Sequence, residues 1–147
     1  MKKSVIFVLS CFFVFSSCSL NESDSSAPQE IEYYWHLIQV TGGVAGIDER
    51  FDVDTIVWNF DDDTGTLTVD NNNTDDSIED GLDGGTYSFS VLDIDGNTYL
   101  LVDDEEIGSF NVNQSTFTLD TNKMSTGTGA DGFIYLFQLE TRAVTGS

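Results

Sequence analysis

Few side chains in this sequence could carry chemistry, and they stand far apart. Its 147 residues hold two cysteines, Cys11 and Cys18, and a single histidine, His36. A thiol can accept an acyl group or ligate a soft metal, and an imidazole can shuttle a proton or bind a metal ion. Nucleophilic catalysis needs more than either: a held nucleophile, a base beside it and a third group orienting that base. Serines are scattered throughout, with no nucleophile-elbow glycine pattern around any of them, so no catalytic set converges and the chain reads as a non-enzyme. Strand parity sets His36 opposite Trp35 and Leu37; if those two face inward, His36 faces out as a packing or surface residue.

The acidic loops offer a different chemistry. Asp93-Ile94-Asp95-Gly96-Asn97 alternates carboxylates and an amide as the opening of a calcium loop does. That motif needs glycine at its sixth place and an acid at its twelfth, where this chain has Thr98 and Asp104. The intervening Tyr99-Leu100-Leu101-Val102 reads as a strand, and Asp-Gly between two strands marks a hairpin. Asp93, Asp95 and Asn97 are therefore weak metal candidates, and neither a metal nor another cofactor is expected. Asp61-Asp62-Asp63, Asp75-Asp76 and Asp103-Asp104-Glu105-Glu106 read as solvated turns in the same way.

Three segments must position these groups. Lys2-Lys3, the apolar Val5 to Phe15 and the small Ser16-Ser17 have the three-part layout of an export signal over residues 1–17. This segment of 11 residues falls well short of the roughly 20 that a membrane-spanning helix requires. Cleavage after residue 17 would leave 130 of the 147 residues, one domain's worth of chain. Residues 18–32, polar and serine-rich with the only proline, read as a flexible tether behind Cys18. Ser19 to Glu32 would reach at most about 45 Å at about 3.3 Å per residue.

The leader takes two of the five basic residues and none of the 26 acidic ones, so three positive charges face 26 negative ones and the mature charge is −23. Such a field repels nucleic acid and anionic head groups, which makes both poor partners. With no cysteine in the domain, neither a disulfide framework nor a thiolate metal site is available, and the core must hold the fold alone.

From residue 33 to 147 the pattern is strand after strand. Tyr33 to Val40, Thr55 to Phe60, Thr66 to Val69, Thr86 to Val91, Thr98 to Val102, Ile107 to Val112, Ser115 to Leu119 and Gly132 to Thr141 alternate apolar and polar residues. Asp, Asn and Gly punctuate the junctions. An all-β domain follows: an eight-stranded antiparallel up-and-down β-barrel, which closes both edges, with a two-sheet β-sandwich as the alternative. Trp58, Phe89 and Tyr135 belong to an inward aromatic set. They either line a shallow cup for a small apolar ligand or simply fill the barrel, since eight strands enclose little more than side-chain room.

Small residues followed by cysteine at Val14-Phe15-Ser16-Ser17-Cys18 resemble the lipobox of bacterial lipoproteins. In that family the residue matching Cys18 carries a diacylglyceryl group, and cleavage frees its amine for another acyl chain. Each buried methylene adds roughly 0.8 kcal/mol, so two or three chains anchor stably. The resemblance implies lipidation at Cys18 and a place in the cell envelope, and Ser19 rather than Asp after Cys18 resembles sorting to the outer membrane. The domain resembles the lipocalin-like lipoproteins of flavobacterial and related envelopes, through Trp35-His36-Leu37, Gly42-Gly43, Trp58-Asn59-Phe60, Gly85-Thr86-Tyr87, and Ala130-Asp131-Gly132-Phe133 leading to Arg142. In lipocalins a basic residue ending the last strand crosses the ring of a tryptophan opening the first, which implies a structural pair of Trp35 and Arg142. Tyr33 stands where that opening motif has glycine. The resemblance implies a lipid-anchored envelope binding module for a small apolar ligand. The alternative is an interaction or structural lipoprotein with a filled core, meeting another envelope protein.

Overall fold

The computed structural model describes residues 30–144. The export signal, Cys18 and most of the expected tether lie outside them. Eleven strands follow one another: β1 (Glu30–Gly42), β2 (Ile47–Arg50), β3 (Ile56–Asp61), β4 (Thr66–Asn71), β5 (Gly85–Ile94), β6 (Asn97–Val102), β7 (Glu105–Val112), β8 (Thr116–Asp120), β9 (Lys123–Met124), β10 (Gly127–Thr128) and β11 (Phe133–Val144). The main sheet runs β11-β8-β7-β6-β5-β4-β3-β1 and closes on itself through β11–β1, with β2 appended to the outer half of β1. Closure of all eight expected strands selects the barrel over the sandwich. β2 and the β9–β10 ribbon were not expected, being too short to show an alternation.

The longest pairing is the closing one, from Glu30 opposite Val144 to Gly42 opposite Phe133. It begins inside the stretch read as tether: Glu30 to Glu32 are strand, fixed by Val144 to Arg142 across the seam. A bulge between Leu37 and Gln39 inserts one residue into β1. A strand's side-chain period is two, so the extra residue resets parity and turns Val40 inward in place of Gln39.

Inside the barrel, Leu37, Val40, Ile56, Leu67 and Phe137 are fully buried, with Trp58, Val69, Leu100, Phe117 and Leu119 nearly so. The rings form one connected set centred on Phe117, whose centroid lies 5.0 Å from Phe137, 5.7 Å from Trp35 and 5.8 Å from Phe60. Offset and tilted ring pairs of this kind add to the burial of apolar area. Where β6 and β7 slip register, Gly108 adopts φ +153°, and a side chain there would come within 2.6 Å of the Asp120 carbonyl oxygen. Only glycine lets β7 and the end of β8 approach so closely.

Candidate ligand-binding site

Antiparallel succession fixes which loops share an end of the barrel. The start of β1, the end of β11 and the β3–β4, β5–β6 and β7–β8 hairpins lie together. The loop between β4 and β5, the β6–β7 hairpin and the β8–β11 connection lie at the other end.

A cup of about 250 Å³ opens at the first of these ends, lined by Trp35, Phe60, Phe89, Val91, Leu100, Phe110, Val112 and Phe117, with Asp62 at its edge. Its floor is the Phe117 ring cluster; Phe60 and Phe89 meet edge to face at 5.0 Å to form part of the wall. Val91 and Val112 at the rim are about half exposed, as are Ile31 and Tyr33 on the inward parity of β1. The cup therefore has an apolar floor, wall and rim. A dry engineered cavity of about 150 Å³ accepts benzene, and ordinary small-molecule pockets start near 300 Å³. One ring or a short alkyl segment is the size that fits.

A long loop crosses the other end. The loop from Asn72 to Gly84 folds across it, held by Asn71 and Asn73, whose amides donate to the Asp80 carboxylate at 3.1 and 2.8 Å. Leu82 packs on the core beneath. Tyr135 donates its hydroxyl proton to Glu79 at 2.8 Å. Burial first, then this hydrogen bond and the nearby carboxylates, push the Tyr135 hydroxyl well above its ordinary value of 10. A cavity of about 240 Å³ remains under the loop, lined by Trp58, Gly81, Leu82, Ile107, Leu119, Thr121 and Tyr135. The indole N–H of Trp58 is buried without a partner among the described residues.

The three aromatics expected at one ligand site are thus divided. Phe89 lines the cup, whereas Trp58 and Tyr135 line the cavity beside the Asn72 to Gly84 loop at the opposite end. Parity identified all three as inward but carries no depth along the barrel axis. Phe60 belongs to the inward aromatic set read from the sequence, whereas Phe110 is missed by it; the turns that follow their strands (Asp61-Asp62-Asp63 and Asn113) place both at the cup end.

Trp35 and Arg142 do not form the pair implied by the family resemblance. Trp35 turns inward onto Phe117, while Arg142 projects from the outer face and lies 4.4 Å over the Tyr34 ring. The cause is register: Arg142 pairs with Glu32 and Glu140 with Tyr34, the outward row of β1, whereas Trp35 opposes Leu139. Asp93, Asp95 and Asn97 form the expected hairpin, with Asp95 (φ 51°) and Gly96 (φ 79°) as the two left-handed turn residues between the paired Ile94 and Asn97.

His36 faces outward, as parity required, yet only 1% of it is exposed. The backbone N–H of Asp54, itself at φ 72°, donates to His36 Nδ1 at 3.2 Å. Nδ1 also lies 3.3 Å from Asp54 Oδ1, and Nε2 lies 2.9 Å from Glu140 Oε2. Arg142 bridges the two carboxylates, at 3.0 Å from Glu140 and 3.5 Å from Asp54, and holds the Glu140 carboxyl below its ordinary value. Residues 36, 54 and 140 are too distant in sequence for any local motif to announce this cluster.

The architecture defines a small closed β-barrel with an apolar cup at one end. No protein-family model, curated protein or solved structure matches the chain.

Proposed function

We propose that the protein is a lipid-anchored binding module of the cell envelope that holds a small apolar ligand in the open cup. The observation that carries this reading is the cup itself: about 250 Å³ bounded by Trp35, Phe60, Phe89 and Phe110 and rimmed by exposed Val91 and Val112. Apolar side chains left in contact with water around a concave surface favour an apolar occupant. The cup opens at the end where β1 begins, so an anchor on Cys18 would hold it near the membrane. That anchor, the leader before it and the resemblance to lipocalin-like lipoproteins belong to the same proposal. An outer-membrane location follows from it, as does the absence of any nucleic-acid partner.

Indole and n-octanol are suitable probes because each matches the cup in size. Both should raise the melting temperature saturably and perturb the fluorescence of Trp35, which lies at the cup floor. Val112→Trp, a change at a half-exposed rim position, should fill the cup and abolish both responses without loss of stability. Responses that survive Val112→Trp, or no saturable response to either probe, would favour the filled-core protein that meets another envelope component. Replacing Cys18 with Ser should leave an unprocessed, unlipidated precursor; normal maturation of that variant would overturn the anchor.

A further inference from the structure

The cluster on the outer face of the β1–β11 seam is independent of the cup and of the binding-module reading. We propose that it is a binding site for a borderline divalent transition metal of the zinc class. His36 Nε2 and Glu140 are the direct ligands, Asp54 orients the imidazole, and Arg142 is the cation that the metal displaces.

Two observations point there separately. Among the described residues, His36, Asp54 and Glu140 bring donor atoms within 4.8 Å of one another. In addition, His36 is 1% exposed and its Nε2 has no aligned hydrogen bond among the described residues, although Glu140 Oε2 lies 2.9 Å away, off the ring N–H direction. A ring nitrogen withdrawn from water and left unpaired is unfavourable, so its retention calls for a partner.

The resident cation cannot supply one. Arg142 neutralises part of the carboxylate charge, but a guanidinium has only donors and cannot accept from the Nε2–H of His36. A zinc-class ion coordinates nitrogen and oxygen together, whereas calcium and magnesium prefer oxygen sets. The parts also differ in mobility in the way a binding site needs. The imidazole is fixed in β1, while the carboxylates of Asp54 and Glu140 are 67% and 44% exposed and can adjust.

The proton balance is simple. The Asp54 N–H donating to Nδ1 leaves the imidazole proton on Nε2. Metal on Nε2 moves that proton to Nδ1, which breaks the hydrogen bond from the Asp54 N–H and makes Asp54 Oδ1, at 3.3 Å, the acceptor of the new Nδ1–H, so no net proton is released. An imidazole held by a carboxylate on its far nitrogen is the usual outer arrangement at a metal-bound histidine.

His36 is the chain's only histidine, so its ring signals report this site alone, whatever zinc binds elsewhere on so acidic a surface. Zinc chloride titrated into the purified protein should move the His36 Nε2 nitrogen resonance saturably and shift the ring to the Nδ1–H tautomer. Glu140→Gln, at an exposed position, should abolish the response. Asp54→Asn should weaken it by roughly tenfold to a hundredfold. Arg142→Gln should strengthen it by removing the competing cation. Ring signals unmoved by zinc, moved equally in Glu140→Gln, or weakened by Arg142→Gln would each overturn the site.

Discussion

The two faces of the β1–β11 pair are made by the same two strands and hold together by different physics. On the inner face Trp35, Leu37, Phe137 and Leu139 join a core from which water is excluded. On the outer face Glu32, Tyr34, Glu140 and Arg142 form charge and ring contacts that remain in water, and only His36 among them is removed from it. Burial of apolar area is insensitive to the exact placement of each neighbour. A cluster of ions depends on which side chains meet and on salt, and exposed pairs contribute little to stability. The barrel's stability therefore belongs to one face and its specific chemistry to the other.

The sharpest break of this contrast is Phe137→Ala. It should destabilise the protein by about 3–5 kcal/mol in chemical denaturation, the range for emptying a buried ring position. Gln138→Ala, one residue on and facing out, should change stability by no more than about 0.5 kcal/mol. Comparable losses at the two positions would show that the faces do not divide the work as described.

Gly108→Ala comes next, at a cost of about 1–3 kcal/mol, because the new methyl group meets backbone where nothing flexible can yield. The same change at Gly46, which has open space around it and φ +66°, tests backbone strain without the clash and should cost less.

A smaller effect separates the two ends of the barrel. Tyr135→Phe removes the hydrogen bond to Glu79 and should cost about 0.5–1.5 kcal/mol, with faster hydrogen exchange in the Asn72 to Gly84 loop. The raised folded-state value of the Tyr135 hydroxyl gives this contribution a direction with pH. It is fully present below the ordinary value of 10 and is lost as the pH rises beyond that. Alkaline destabilisation should accordingly be weaker in Tyr135→Phe than in the parent.

Asp120 gives the opposite sign. Partial burial raises its carboxyl, but hydrogen bonds from Lys123 and Asn122 outweigh that and hold it below 3.8. Its contribution is present above that ordinary value and disappears as the pH falls through the lowered one. Asp120→Asn should therefore flatten the acid limb of a melting curve against pH. Smallest of all, Arg142→Gln should leave the melting temperature almost unmoved while the Glu140 carboxyl titrates at a higher pH. A large stability loss there would mean that the outer face supports the seam after all.

The sequence by itself determined the barrel strands and their inward rows, because a period-two alternation is local: Trp58 and Phe60, or Tyr135 and Phe137, reveal their face without knowledge of any neighbour. It also determined the Asp95-Gly96 hairpin, whose left-handed turn residues are chosen by chain geometry alone. Tertiary structure decided everything that depends on register and depth. A one-residue bulge at Ile38 and the pairing of Glu140 with Tyr34 put Arg142 over Tyr34 and left Trp35 to the core. The axial offset between strands sent Phe89 to the cup and Trp58 and Tyr135 to the end crossed by the Asn72 to Gly84 loop. Closure brought His36, Asp54 and Glu140 together across the chain. Such distances arise from the way the sheet wraps on itself, and no local pattern of residue types records them.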